Sequence, residues 1–188
     1  MKKYLILVKH SLPEIVKNLP ARECRLSDEG RKRAHHLAEQ LCPFHPQGIV
    51  SSSEPKAKET AEIIAERLRL PVQVVDGLHE HDRSTTPFLS TEEFQAAVQE
   101  FFEKPDMLVF GSETADETHA RFYRAVHSAL ESHPNETVVI VAHGTVISLF
   151  LSRLTGMSGL LLWRELGLPS YIVIDMQTKL LIKRENVI

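Results

Sequence analysis

Two strand-like runs, Tyr4–Val8 and Thr137–Ala142, constrain the fold more than any other feature of the sequence. Both are apolar at almost every position, which indicates strands buried on two faces rather than one. Strands of this kind belong to parallel sheets that helices cover on both sides. Shorter runs that we interpret as further strands lie at Gly48–Ser51, Val72–Val75, Ile172–Ile174 and Leu180–Ile182, the last two as a hairpin.

Amphipathic helical patterns alternate with these strands. Ser27 can cap the first helix, and residues 146–154 form an apolar helical pattern after the strongest strand. Capping boxes at Ser90–Glu93 and Thr114–Glu117 each begin a helix, and these two helices form an inserted helical layer. The alternation predicts one doubly wound α/β domain over residues 1–188, with a mainly parallel sheet and helices on both faces.

Composition excludes several classes of function. The chain has 22 basic and 25 acidic residues and a net charge of -3, so no basic field favours nucleic acid or an anionic membrane as a partner. Its two cysteines are too few for a zinc cluster or a disulfide framework. No apolar run approaches the roughly 20 residues of a membrane span, and the N-terminal run is too short for a signal peptide. We expect a soluble, cytoplasmic protein; the sequence does not indicate its oligomeric state.

A histidine follows each of the two strongest strands, His10 after the first and His143 after the fourth. Ligands of open α/β sheets bind beyond the carboxyl ends of the strands, so one crevice can contain both histidines. Phosphoryl transfer through histidine needs a neutral imidazole, cations around the phosphoryl oxygens and an acid for the leaving alcohol. Lys9, Lys56 and Glu80 supply such groups. A simpler interpretation stays open at this point: a strand-end histidine also serves to bond a loop carbonyl.

Five motifs lie in order along nearly the whole chain. They are LILVKHS at Leu5–Ser11, LSDEG with a following alanine at Leu26–Ala34, SSSEPKAKETA at Ser51–Ala61, LHE at Leu78–Glu80 and VIVAHG at Val139–Gly144. Together they resemble the motifs of the histidine phosphatase superfamily, which has the phosphoglycerate mutase-like fold. In that family the first motif ends in Arg-His-Gly, the third contains an arginine, and the last ends in His-Gly.

The resemblance implies a role for each of five residues. His10 would be the nucleophile that becomes phosphohistidine, which water then hydrolyses, and Glu80 would protonate the leaving group. Lys9 and Lys56 occupy the positions of two phosphate-binding arginines. His143 occupies that of the second histidine, which donates to phosphoryl oxygens. The resemblance also implies a site that works without a metal or another cofactor.

Three residues depart from the family pattern, and all belong to the phosphate pocket. Lys9 and Lys56 replace arginines, so they keep the charge but lose the planar fork that binds two oxygens at once. Ser11 replaces a glycine. Its Cβ restricts the backbone where glycine allows a close approach, yet its hydroxyl can bond a phosphoryl oxygen, and the sequence does not decide between these effects.

The loop around Glu80 allows other interpretations. His79 and His81 form a His-x-His pattern that invites a metal site, although such a site needs further ligands. Alternatively, Glu80 is an ordinary surface carboxylate and His81 a solvated loop residue. His119 and Arg121 follow a glycine-containing loop, and no motif gives them a role.

We expect a phosphomonoesterase that hydrolyses a small phosphorylated metabolite through a phosphohistidine intermediate. A phosphoglycerate-type mutase is less favoured, since such mutases resemble longer chains with extra segments. The rival from another class is a pseudo-enzyme that binds a phosphorylated ligand through Lys9, Lys56 and His143 with negligible turnover. Substrate identity would depend on the inserted helices and on loops Pro13–Arg25 and His81–Leu89, which carry no recognisable code.

Overall fold

A six-stranded sheet lies between two layers of helices in the computed structural model, which describes residues 2–17, 19–87 and 89–187. Met1, Asn18, Phe88 and Ile188 lie outside the described residues. The strands are β1 (Tyr4–Lys9), β2 (Gly48–Ser51), β3 (Val72–Val74), β4 (Val138–Ala142), β5 (Ser170–Asp175) and β6 (Leu181–Asn186). The helices are α1 (Asp28–Leu41), α2 (Pro55–Leu68), α3 (Thr91–Glu103), α4 (Ala115–Ser132), α5 (Gly144–Thr155) and α6 (Gly159–Glu165), with short 3₁₀ turns at Ala21–Glu23 and Cys42–Phe44.

The strand order is β3-β2-β4-β1-β5-β6. The pairs β1–β4, β2–β4 and β2–β3 are parallel. In contrast, β5 runs antiparallel to β1 and forms a hairpin with β6. The predicted mainly parallel α/β sheet and its terminal hairpin are therefore confirmed. In the central pair Leu5 lies opposite Val138 and Lys9 opposite Ala142. Because the two strands end level with each other, the residues that follow them emerge side by side.

Each central strand contributes to two cores. Leu5 and Leu7 pack on one face of the sheet against α4, α5 and α6, and Ile6 and Val8 pack on the other face against α1 and α2. Side chains alternate across a strand, so a strand with a core on both sides must be apolar at successive positions. This is the physical reason for the apolar runs in the sequence.

The predicted helix starts are present. Ser27 caps α1, and both capping boxes form, at the starts of α3 and α4. α4 packs directly on the sheet, while α3 contacts α6 and contributes Phe101 to a smaller cluster with Leu149. No sequence pattern indicated α6, because its seven residues are too few to show a helical period. Within the described ranges, no helix has the length and apolar character that crossing a membrane demands.

Candidate active site

The ends of β1 and β4 bring His10 and His143 together. The N–H of His10 donates to the carbonyl of Ala142 at 3.0 Å, which continues the strand pairing by one residue. The two imidazole rings lie 5.2 Å apart between centroids, at an angle of 60°. Both side chains are buried. The structure thus brings the two histidines together as expected from the sequence, with His10 lining the adjacent cleft and His143 fully buried.

His10 has the orientation of a nucleophile. Its Nδ1 lies 2.7 Å from the carbonyl oxygen of Ser11, and because a carbonyl can only accept, Nδ1 carries the proton. Burial, together with positive charge nearby that includes Lys56, lowers the pKa of His10 well below its usual value. The ring is therefore neutral near pH 7, with a lone pair on Nε2. The sequence left open a simpler role for this histidine, in which it only bonds a loop carbonyl. That hydrogen bond is present in the structure, and it fixes the tautomer of His10.

His143 has an unfilled hydrogen-bonding position. Its Nε2 lies 2.8 Å from Ser52 Oγ and 3.5 Å from Glu54 Oε1. Its Nδ1 is buried and has no partner among the residues that the structure describes. Burial, together with the charge of Lys56, outweighs the opposite effect of Glu80 and lowers the pKa of His143 to about 3. If the Ser52 hydroxyl donates to Nε2, the neutral ring carries its proton on Nδ1 and can donate it to a phosphoryl oxygen.

Lys9 is anchored and still has donors to offer. Its Nζ donates to the carbonyl of Leu166 at 2.6 Å, and an ammonium has two further N–H groups. Burial lowers the pKa of Lys9, and the negative charge of Glu80 opposes that effect. The start of α5 leaves room for the side chain, because a Cβ on Gly144 would lie 3.2 Å from Lys9 Cε.

Glu54 is a site residue that no sequence pattern indicated. Its buried carboxylate lies 2.5 Å from Lys56 Nζ and accepts a hydrogen bond from the N–H of Glu80 at 2.8 Å. Lys56 Nζ also donates to the carbonyl of Ala21 at 2.7 Å. A bound phosphoryl group must therefore share Lys56 with Glu54. A carboxylate before the first turn of a helix is a common feature, so its position in the sequence did not single it out.

Glu80 is held as a carboxylate. It accepts hydrogen bonds from the N–H groups of His81, at 2.9 Å, and Thr145, at 3.1 Å, and lies 3.9 Å from Arg83. Burial alone would raise the pKa of Glu80, but Arg83 and these hydrogen bonds outweigh it and lower the pKa to about 2. A phosphoryl dianion beside Glu80 would raise that pKa again, because adjacent negative charges disfavour ionisation. The proton for an acid role must therefore arrive with the ligand.

Arg121 holds the loop that carries Glu80. Its Nη1 donates to the carbonyls of Gly77, at 2.7 Å, and His79, at 3.0 Å, and its Nη2 lies 2.5 Å from a carboxylate oxygen of Glu113. The guanidinium thus satisfies loop carbonyls that would otherwise lack donors. His119, which also had no role from the sequence, lies beside Tyr123 with ring centroids 5.8 Å apart and ring planes tilted by 35°.

A cleft of about 430 Å³ opens beside these groups. This volume is in the range of small-molecule sites. Its lining combines cations with apolar and aromatic side chains: Lys9, His10, Glu80, Arg83, Phe94, Gln95, Gly144, Trp163, Arg164, Leu166 and Leu168.

Comparison with known proteins decides the family. Residues 5–180 match the histidine phosphatase superfamily (branch 1). The chain belongs to this superfamily. It is 31% identical over 131 residues to the uncharacterized phosphatase PhoE of Bacillus subtilis, covering 70% of this chain and 65% of that protein, which is just under two thirds of its length. It is 30% identical over 194 residues to phosphoserine phosphatase 1 of Hydrogenobacter thermophilus, covering 98% of this chain and 89% of that protein.

A solved structure supports the fold. The phosphoserine phosphatase of Entamoeba histolytica, in complex with 3-phosphoglyceric acid, has a TM-score of 0.80 at 21% identity and covers 98% of both chains. The predictions of the histidine phosphatase family and of its fold class are therefore confirmed, and the curated relatives are named as phosphatases. The roles of His10, Glu80, Lys9, Lys56 and His143 stay predictions.

Ser11, which stands where this histidine phosphatase family has glycine, is accommodated by the neighbouring helices. Its hydroxyl donates to the carbonyl of Gly30 at 2.7 Å, and its N–H donates to Thr60 Oγ1 at 3.0 Å. Ser11 is not among the described residues with positive φ, so its backbone needs no conformation reserved for glycine. The sequence left two effects of Ser11 open. In this structure its hydroxyl bonds α1, so it is not free to donate to a phosphoryl oxygen.

The interpretation of His81 as a solvated loop residue is wrong. Its ring is buried against Phe101 and Phe110, with centroids 4.4 and 4.8 Å away, and its Nε2 lies 3.1 Å from the carbonyl oxygen of Glu113. The aromatic side chains that bury it lie 20 to 30 residues further along the chain. Across residues 2–17, 19–87 and 89–187, no group of three or more His, Cys, Asp or Glu side chains is arranged to hold a metal ion.

Proposed function

We propose that this histidine phosphatase hydrolyses phosphomonoesters of small metabolites by two phosphoryl transfers through His10. The observation that carries the proposal is the Nδ1 bond from His10 to Ser11, which leaves a neutral Nε2 lone pair at the cleft. The cleft volume and the phosphoserine phosphatase relative support a small phosphorylated substrate.

In the first transfer, Nε2 of His10 attacks phosphorus, and the bond from phosphorus to the ester oxygen breaks. Lys9, Lys56 and Nδ1 of His143 bind the phosphoryl oxygens as negative charge develops on them. Glu80 donates its proton to the departing alcohol oxygen. In the second transfer, water attacks the phosphohistidine, the Glu80 carboxylate accepts a proton from that water, and His10 leaves as the neutral imidazole.

The pseudo-enzyme alternative draws on one observation, the contact between Glu54 and Lys56. This contact offsets a positive charge that phosphate would otherwise use alone. Incubating the purified protein with p-nitrophenyl phosphate and a panel of phosphorylated metabolites tests both functions. We expect release of inorganic phosphate from the aryl ester and from at least one metabolite. Ligand binding without phosphate release would instead support the pseudo-enzyme, and conversion of 3-phosphoglycerate to its 2-isomer would support a mutase.

The charge of Lys9 should matter more than its shape. Lys9→Ala should lower kcat/KM for p-nitrophenyl phosphate by roughly 10-fold to 100-fold, since a charge-assisted hydrogen bond is worth about 1.5–3 kcal/mol. Lys9→Arg keeps the charge and should retain most of the activity if the pocket accepts the fork. Steady-state kinetics with both variants measures this. An alanine variant as active as the wild type would remove Lys9 from the phosphate site.

Turnover should not depend on a metal ion, because lysine and histidine side chains occupy the phosphate-binding positions. After exhaustive treatment with EDTA, the rate of phosphate release should remain unchanged. Addition of zinc or manganese to the treated protein should also leave it unchanged. Loss of activity on chelation, restored by either metal, would favour the site suggested by His79 and His81.

A further inference from the structure

Arg83 is a cation in the cleft to which the two phosphoryl transfers assign no role. It follows Glu80 by three residues and lines the same cleft as Lys9 and His10. Its side chain is 29% exposed, so a molecule in the cleft can reach it.

The guanidinium of Arg83 is held in place before any ligand binds. Its central carbon lies 5.0 Å from the ring centroid of Phe94 and 5.9 Å from that of Phe110, distances at which aromatic rings attract a cation. Its Nη2 donates to Thr145 Oγ1 at 3.0 Å. A planar guanidinium fixed in this way loses little freedom on binding and suits a flat anion with two oxygens.

Arg83 also has unused hydrogen-bond donors. Its Nε is buried without a hydrogen-bond partner in the part of the chain that the structure describes. Within those ranges its carboxylate neighbour is Glu80, 3.9 Å away, which is too far for a hydrogen bond. The buried Nε is itself closed to a ligand, so an acceptor would bond the exposed part of the guanidinium, where a hydrogen bond to a cation adds binding energy.

The net charge of the cleft can accommodate one more anionic group on the ligand besides the phosphoryl group. Lys9, Arg83 and Arg164 line the cleft together with Glu80, while Lys56 is paired with Glu54 and adds no net charge. When Glu80 is protonated for its acid role, three positive charges face the two negative charges of a phosphoryl group. One positive charge is left over, which matches a monoanion better than a second phosphate.

We propose that Arg83 binds a carboxylate on the substrate, so that the preferred substrates are phosphorylated carboxylic acids. This inference rests on the proposed function and adds a second anchoring point to it. Phe94 and Phe110, which orient Arg83, belong to α3 and to the loop after it. The inserted helical layer was expected to determine substrate specificity. In this proposal it does so by positioning the guanidinium of Arg83.

A matched pair of ligands tests the proposal, because phosphoserine and phosphoethanolamine differ by one carboxylate. kcat/KM is measured for the wild type, for Arg83→Gln and for the control Arg164→Gln, an exposed cation of the same cleft. Binding is measured by calorimetry in the His10→Ala background, which cannot consume the ligand. We expect the wild type to prefer phosphoserine by about 10-fold to 100-fold. Arg83→Gln should abolish this preference, and Arg164→Gln should keep most of it.

Other outcomes separate this proposal from the proposed function. Equal binding of the two ligands, or an equal loss for both in Arg83→Gln, would overturn the carboxylate site while leaving a phosphatase. A preference in binding that depends on Arg83, without any turnover, would support the carboxylate site and contradict the proposed function. Tighter Arg83-dependent binding of propane-1,3-diol bisphosphate than of phosphoserine would overturn the assignment to a carboxylate.

Discussion

His10→Ala should abolish turnover of every phosphate ester, with a loss in kcat on the order of 10⁴-fold or more, because it removes the proposed acceptor of the phosphoryl group. The free Nε2 lone pair fixed by the bond from Nδ1 to Ser11 is the physical reason. The matched control is His35→Ala, which removes an exposed histidine from α1 and should leave kcat unchanged.

Trapping of the intermediate tests the same role directly. Phosphohistidine is lost in acid, so the wild type is mixed briefly with ³²P-labelled substrate, quenched in alkali and digested into peptides. The label should be on the peptide that contains His10 and should be missing from His10→Ala. His143→Ala should slow labelling, because it removes a donor to the phosphoryl oxygens, without moving the label. Label on another residue would overturn the proposed mechanism.

Glu80→Gln should reduce hydrolysis of alkyl phosphates by about 10²–10⁴-fold, the range of general acid catalysis. Aryl phosphates should lose far less, because a phenolate departs without a proton. The quantity to measure is the ratio of the two losses, with Glu62→Gln, which removes an exposed carboxylate of α2, as the control. Equal losses on both esters would assign the acid role to another group, and Asp82 and His81 are the next candidates.

The low pKa of Glu80 gives this role a characteristic pH dependence. Since the pKa is about 2 in the free protein, Glu80 is ionised at neutral pH and the proton must come from elsewhere. A phosphate ester has its second ionisation near pH 6, so its monoanion can bring the proton into the site. For alkyl esters, kcat/KM should therefore fall as the pH rises above about 6, following the ester and not a free carboxyl group. A constant kcat/KM from pH 6 to 8 would contradict this source of the proton.

The central strands and their histidines were predictable because their signals are local. A strand with two cores is apolar at successive positions, and a parallel sheet places strand ends at one edge, so His10 and His143 followed from the sequence. The environment of Glu80 was not predictable in the same way. Its neighbours Glu54 and Thr145 come from distant parts of the chain, and their contacts depend on how loops close over the sheet edge.

Long-range packing also explains the sequence interpretations that were incomplete or wrong. His81 looked solvated because the rings that bury it, Phe101 and Phe110, belong to a later segment. No role was predicted for Arg121, because its acceptors in the loop that carries Glu80 are backbone carbonyls, which every residue carries and no sequence pattern marks.

The register of β1 against β4 links the activity of the site to correct folding. The two histidines are 133 positions apart in sequence, from His10 to His143, and only one alignment of the strands sets them next to each other. A slip by a single residue would turn the apolar side chains of a strand to the opposite core and move its histidine with them. Molecules with a misaligned sheet should thus have no phosphatase activity. The specific activity of a preparation should therefore be proportional to the fraction of chains whose central strands have paired in the correct register.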